Sequence, residues 1–184
     1  MPTFSIAFSG HRPHRLPDGK KQLSELEDRI EHELHRLHKL GYDTVLCGMA
    51  EGADLLCYEA ILSYNTFRPD HEKIRMHCVL PYMTFPERPS FMNRNDANLD
   101  SASADQVTVI SPTYQPGCFH KRNRFMVDSA DILLALYDGR SFGGTAYTMK
   151  YARQKGKEVI ILHPFTLERT VYPIEPEYTK MPQT

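Results

Sequence analysis

No run of about 18 apolar residues occurs, so the sequence contains no helix able to span a bilayer. There is no surplus of positive charge either. The 22 Lys and Arg are set against 23 Asp and Glu, for a net charge of -1. A protein that holds nucleic acid through many phosphates carries a strongly basic footprint, so that partner is not expected, while a local basic pocket stays open. Cysteine is sparse. Cys47, Cys57, Cys78 and Cys118 form no CxxC pair and no dense framework. Buried free thiols are the expectation, and neither a disulfide scaffold nor a metal site is. The first residues, Met-Pro-Thr-Phe-Ser, lack the charged start of a signal peptide. With neither leader nor span, the expected location is the cytoplasm.

What is present is an ordinary globular composition, 41% apolar and 24% charged over 184 residues. That length suits one domain better than two and buries roughly 70% of its unfolded surface without staples. Apolar runs and helical stripes alternate along it. Phe4–Phe8 reads as a strand ending at Ser9-Gly10. A helix follows from Gly19 to Leu40, with Leu23, Leu26, Ile30, Leu34 and Leu37 at spacings of three and four, and Gly41 stops it. Thr44–Cys47 is a strand, 52–64 a helix, and Ile74–Leu80 a third strand closed by Pro81. A short helix is expected around Phe91–Leu99, then a strand at Gln106–Ile110. Phe119–Ser129 reads as helix, Ile132–Tyr137 as a strand buried on both faces, Thr145–Gln154 as helix and Val159–Leu162 as the sixth strand. The prolines after residue 163 forbid a long helix, so residues 164–184 are expected to wrap over the surface or lie extended behind a domain spanning 1–163. The alternation implies an α/β fold: one Rossmann-like, doubly wound domain with a mainly parallel sheet of about six strands.

In such a sheet a ligand binds outside the carboxyl ends of the strands. Four loops fall there. Ser9-Gly10-His11-Arg12-Pro13 combines a glycine with a forked guanidinium suited to phosphate. In 48–54, Gly48 and Gly52 bracket the turn into a helix whose free N–H groups favour an anion. Within that helix Asp54 either meets a ribose hydroxyl or complements the dipole, and Glu59 lies further along. His120-Lys121-Arg122-Asn123-Arg124 crowds cationic donors, with Arg122 and Asn123 the candidates for phosphate. Asp138-Gly139 leads through Gly143 and Gly144 to Thr145, a buried strand, a flexible loop and a hydroxyl at a helix start, where Thr145 either holds phosphate or caps the helix. His32, His35 and His38 lack the i, i+4 pair of a zinc helix; His32 and His35 are expected on a solvated face, with His38 at the border of the leucine stripe.

These residues, in this order, resemble the YpsA-like branch of the SLOG superfamily, which groups the SMF/DprA and LOG proteins. The resemblance rests on Ser9-Gly10-His11-Arg12-Pro13, on Gly48, Gly52, Asp54 and Glu59, on Arg122-Asn123, and on Asp138-Gly139 with Gly144-Thr145. It implies a Rossmann-like sheet and a pocket for a nucleotide or nucleotide-derived ligand. LOG proteins hydrolyse the N-glycosidic bond of nucleoside 5′-monophosphates and carry PGGxGTxxE. With Gly144-Thr145 on its GT, Thr148 stands at the glutamate. A threonine there lacks the carboxylate that would stabilise an oxocarbenium-like centre or handle protons.

The expectation is therefore a sensing or regulatory module that binds a nucleotide-type small molecule and acts on a regulated protein partner, with a homo-oligomer left open and no cofactor. The alternative is a nucleotide N-glycosidase or glycosyl-transfer enzyme, with Asp54, Glu59 or Asp138 supplying the carboxylate.

Overall fold

The computed structural model of the protein describes residues 4–85 and 104–172. Strand β1 (Phe4–Gly10) is followed by α1 (Lys20–His38), β2 (Tyr42–Cys47), α2 (Ala53–Asn65), β3 (Arg75–Leu80) and β4 (Gln106–Val109). Then come α3 (Cys118–Ser129), β5 (Ile132–Leu136), α4 (Gly144–Gln154), β6 (Glu158–Leu162) and β7 (Arg169–Tyr172). They build one sheet in the order β4-β3-β2-β1-β5-β6-β7. Strands β1 to β6 pair in parallel and β7 runs antiparallel to β6.

Successive residues of β1 face opposite sides of the sheet. Ile6 and Phe8 join Leu26, Ile30, Leu34 and Ile61 of α1 and α2 in one core, while Ala7 joins Met126, Met149 and Ala152 of α3 and α4 in the other. Each buried Leu or Ile of the α1 stripe contributes about 1.5–3 kcal/mol, so Leu34→Ala costs about 2–5 kcal/mol. Gly10 belongs to this packing. A Cβ on it would lie 2.2 Å from the Cβ of Ala53, so its bare backbone lets the start of α2 press onto β1. The order runs outward through β2, β3 and β4 on one side of β1 and through β5 on the other. The topological switch point, where such sheets bind ligands, therefore lies between β1 and β5.

The sheet has seven strands, one more than expected, because the chain after residue 163 turns back and adds β7 as an edge strand. Arg169 of that strand donates from Nε to Glu33 Oε1 at 2.9 Å. Glu33 is 1% exposed and is met by Arg29 and Arg36 as well. Of the three histidines of α1, His32 is exposed, but the His35 ring lies 5.5 Å from that of Tyr64 and His38 Nδ1 is 2.8 Å from the Tyr64 hydroxyl. Those two dock α1 on α2. All four cysteines are buried free thiols. The helix expected around Phe91–Leu99 lies outside the described residues.

Candidate functional site

The parallel strands bring the ends at Gly10, Cys47, Leu80, Val109 and Leu136 to one edge of the sheet. At the switch point two loops meet. His11 Nε2 lies 2.9 Å from Asp138 Oδ1 and 3.1 Å from the Asp138 backbone nitrogen. That ring nitrogen serves one partner at a time, as a donor to the carboxylate or as an acceptor of the amide. Arg15 binds the same carboxylate through both edges, Nε to Oδ2 at 3.1 Å and Nη2 to Oδ1 at 2.5 Å. The Arg140 N–H donates to Oδ1 at 3.2 Å. Burial opposes ionisation of Asp138, but the Arg15 bonds, the Arg140 amide and the nearby His11 outweigh it and bring the carboxyl down to about 2. Burial lowers the pKa of His11, against the pull of Asp138.

A second network lies behind the first. The loop 48–52 bends sharply: Met49 takes φ 55°, and Gly52 takes φ 97° where a Cβ would strike the His11 carbonyl at 2.6 Å. The bend is pinned by Asp54, whose Oδ2 accepts from the Ala50 N–H at 3.0 Å. Arg122 is buried and donates from Nη1 to the Gly48 carbonyl at 2.6 Å and from Nε to Asn123 Oδ1 at 2.7 Å. Asn123 Nδ2 donates to Thr148 Oγ1 at 2.8 Å, and that hydroxyl donates on to the Gly144 carbonyl at 2.8 Å. Arg122 Nη1 stands 4.0 Å from Asp54 Oδ2. Burial raises the Asp54 pKa and lowers that of Arg122, so desolvation of each ion exceeds what its partner returns.

The two helix starts at this edge differ. At α2 the Ala53 N–H donates to the His11 carbonyl, and the Leu55 and Leu56 N–H groups donate to the Gly52 carbonyl. At α4 the first bond runs from the Tyr147 N–H to the Gly143 carbonyl, which leaves the N–H groups of Gly144, Thr145 and Ala146 without an intrahelical acceptor. Gly143 is the N-cap and no side chain caps the helix, so Thr145 is not the cap; it sits in the first turn and is buried. Nothing lies within 4 Å of a Cβ built on Gly139 or Gly144, so there is open space beside those two glycines.

Among the residues singled out in the sequence, His11 and Asp138 touch, and Gly48, Asp54, Arg122 and Asn123 form one buried cluster that Thr148 ties to Gly144. Ser9 is buried in β1 opposite Ala135. The Arg12 side chain is exposed and its charge reaches both Asp54 and Arg122. Glu59 is half-buried on α2, five residues past Asp54 and so about 7–8 Å further from the edge. Arg15 and Arg140 were not anticipated. Arg15 sits in a short turn, Pro13–Arg15, that aims it back across the switch point, and only the fold brings it to Asp138. Among the described residues no group of three His, Cys, Asp or Glu is placed to hold a metal ion.

The family model described as the YspA SLOG family (YpsA) matches residues 6–167. The chain belongs to this family. Similar relatives include a UPF0398 protein of Bacillus pumilus, 26% identical over 152 residues, which are 80% of each chain. Another is a UPF0398 protein of Bacillus cereus, 28% identical over 160 residues, 83% of this chain and 84% of the relative. Among solved structures, DNA processing protein A from Helicobacter pylori, described for its single-stranded DNA binding mode, superposes with a TM-score of 0.55 at 17% identity. The match covers 87% of this chain and 65% of that one. The molybdenum cofactor carrier protein from Chlamydomonas reinhardtii gives a TM-score of 0.51 at 17% identity, over 87% of this chain and 76% of that one. At that identity the two structures speak for the Rossmann-like fold alone. No helix among the described residues is long and apolar enough to cross a membrane.

Proposed function

We propose that this SLOG protein binds a nucleotide or nucleotide-derived ligand at the β1/β5 switch point, with a phosphate on the open start of α4, and that it acts as a sensing module on a protein partner. The observation that carries this reading is the contrast between the two helix starts. The N–H groups of α2 are largely spent, whereas three N–H groups at α4 lack intrahelical acceptors, with open space beside Gly144. Arg12 and Arg140 are exposed on the flanking loops, and Arg15 is held on Asp138 beside them. An incoming phosphate gains charge-assisted bonds from such guanidinium groups.

The geometry favours binding over N-glycoside hydrolysis. Thr148 stands where LOG proteins have a glutamate, and its hydroxyl is already used on both sides by Asn123 and Gly144. Asp138 is committed to Arg15, and Asp54 to the Ala50 amide. The test is a melting-temperature screen with AMP, GMP, CMP, UMP and NAD, run beside an assay for free base. A shift of the melting point without base release is the expected result. Base release would move the hydrolase reading to first place, and no response to any member would remove the nucleotide assignment.

A further inference from the structure

The His11 side chain is 3% exposed, yet its two ring nitrogens are used unequally. Nε2 lies 2.9 Å from Asp138 Oδ1, and that carboxyl, brought down to about 2, is ionised at neutral pH. Facing an acceptor, Nε2 carries the ring proton. Among the described residues Nδ1 has no hydrogen-bond partner, and it is not sealed from solvent. Neutral His11 therefore presents a bare lone pair at the switch point, and a second proton would make it a charged donor. The groups that face the ring are Asp138 and Arg140 of the β5–α4 loop, Arg15 of the turn after β1, and the Tyr137 ring at 5.5 Å. From α2, Ala53 meets His11 by donating its N–H to the His11 carbonyl. Arg15 and Arg140 stand together against the one carboxylate of Asp138, a local surplus of positive charge. Arg15 Nη1 also lies 3.5 Å from the position of a Cβ on Gly143, the N-cap of α4, so one guanidinium bridges the partner of His11 and the helix start.

We propose that the switch point binds a phosphate monoester with uptake of one proton by His11, whose Nδ1–H donates to a phosphate oxygen while Nε2–H stays on Asp138. This rests on the nucleotide reading above and narrows it to ligands that end in a phosphate. Such a group carries roughly -1.5 to -2 charge at neutral pH. The surplus guanidinium meets one of those charges and the proton on His11 meets the other. The bridging phosphates of a dinucleotide carry one charge each and need no second cation. Burial and the two arginines hold the ring neutral before the anion arrives. An anion at Nδ1 reverses that balance, and the proton comes from solvent.

Calorimetric titration with AMP, GMP, CMP and UMP, in buffers of different ionisation enthalpy, reads the protons taken up on binding. At pH 7.5 uptake should approach one proton per bound monophosphate, and affinity should rise about tenfold per pH unit from pH 8 to about 6.5. Below about pH 6 the free phosphate gains its own proton and the rise ends. His11→Gln keeps an amide N–H for Asp138 but cannot titrate, so uptake there should fall to near zero. NAD, which has no terminal phosphate, should bind more weakly and without uptake. Should His11→Gln fail to fold, NMR of the histidine ring nitrogens in the parent decides. On addition of the monophosphate one ring must pass from neutral, with its proton on Nε2, to imidazolium. Binding without uptake, uptake that persists in His11→Gln, equal uptake with NAD, or a ring that stays neutral overturns this inference and leaves the nucleotide reading standing. No binding of any of the four monophosphates at pH 6.5 removes that reading, and this inference with it.

Discussion

Arg122 fills the space that any side chain at position 48 would need. A Cβ on Gly48 would lie 1.6 Å from Arg122 Nη1, the atom that donates to the Gly48 carbonyl. Gly48→Ala therefore has to push the guanidinium aside. The group sits at the end of a flexible chain and can swing, but swinging breaks its bonds to Gly48 and Asn123 and moves it from Asp54. Losing a charge-assisted hydrogen bond costs about 1.5–3 kcal/mol, and chemical denaturation should show that loss. An unchanged midpoint would mean that the guanidinium re-pairs elsewhere at no cost.

Acid should destabilise the protein in two stages. Burial lowers the pKa of His11 and of His77, so the unfolded chain binds protons more readily than the native one below about 6.5. Stability from these groups is present at neutral pH and is lost as pH falls below that value. Asp138, brought down from 3.8 to about 2, contributes stability above about pH 4 that disappears between about 4 and 2, on the order of 1–2 kcal/mol after solvent screening. Glu33 is lowered too and adds to the acid stage. Asp54, raised by burial, works in the opposite sense: its contribution is present below its ordinary 3.8 and is lost as pH rises through the raised value. Melting curves across pH 2–8 should show both declines, with the first smaller in His77→Asn and the second smaller in Asp138→Asn. A single decline unaffected by either change would refute the assignment.

Most of this fold was legible because its elements carry their own signals. The leucines of α1 repeat at helical spacing, β5 is an unbroken apolar run, and the boundaries fall within two residues of those expected. The edge strand β7 was not legible. Of its residues Arg169, Thr170 and Tyr172 are exposed and only Val171 is half-buried, so no alternating pattern announces it. It is held by pairing with β6 and by Glu33, 136 residues away in the chain. The site divides in the same way. Glycines and strand ends located the loops, but burial decided their roles. Arg122 and Asn123 look like free donors in a cationic run and are instead spent inside the protein. Thr148 is 1% exposed, so a glutamate there would bring an unpaired carboxylate into a filled network, not simply restore a missing acid.

The clamp on Glu33 predicts how β7 is released. Three arginines surround one buried carboxylate, and removing that carboxylate leaves them without their shared partner. Glu33→Ala should cost about 1.5–3 kcal/mol, the loss of charge-assisted hydrogen bonds, because the arginines left behind are partly exposed and can turn to water. Arg169→Ala removes only the partner on β7, so its global cost should be smaller. Its local effect should be larger, with faster amide hydrogen exchange at residues 169–172 than at β6. Equal protection of β6 and β7 in Arg169→Ala would show that backbone pairing alone holds the edge.

The proposed binding site can be separated from its scaffold by comparing Gly144 with Arg12 and Thr145. A methyl group on Gly144 meets nothing within 4 Å and needs no left-handed backbone, so Gly144→Ala should fold at least as well as the parent, gaining up to about 1 kcal/mol from lower unfolded-state entropy. That same methyl group would stand in the open space where a phosphate approaches the α4 amides. Affinity for the nucleotide that shifts the parent's melting point should therefore fall at least tenfold, about 1.4 kcal/mol. Arg12→Ala should cost about 1.5–3 kcal/mol of binding, tenfold to more than a hundredfold, if its guanidinium meets the phosphate. Thr145→Ala removes a neutral hydroxyl that does not cap the helix, so both its binding loss and its stability loss should be the smallest of the three. Calorimetric titration and melting of the three proteins measure both quantities together. Full affinity in Gly144→Ala would place the phosphate away from α4, and full affinity in Arg12→Ala would remove the first loop from the site.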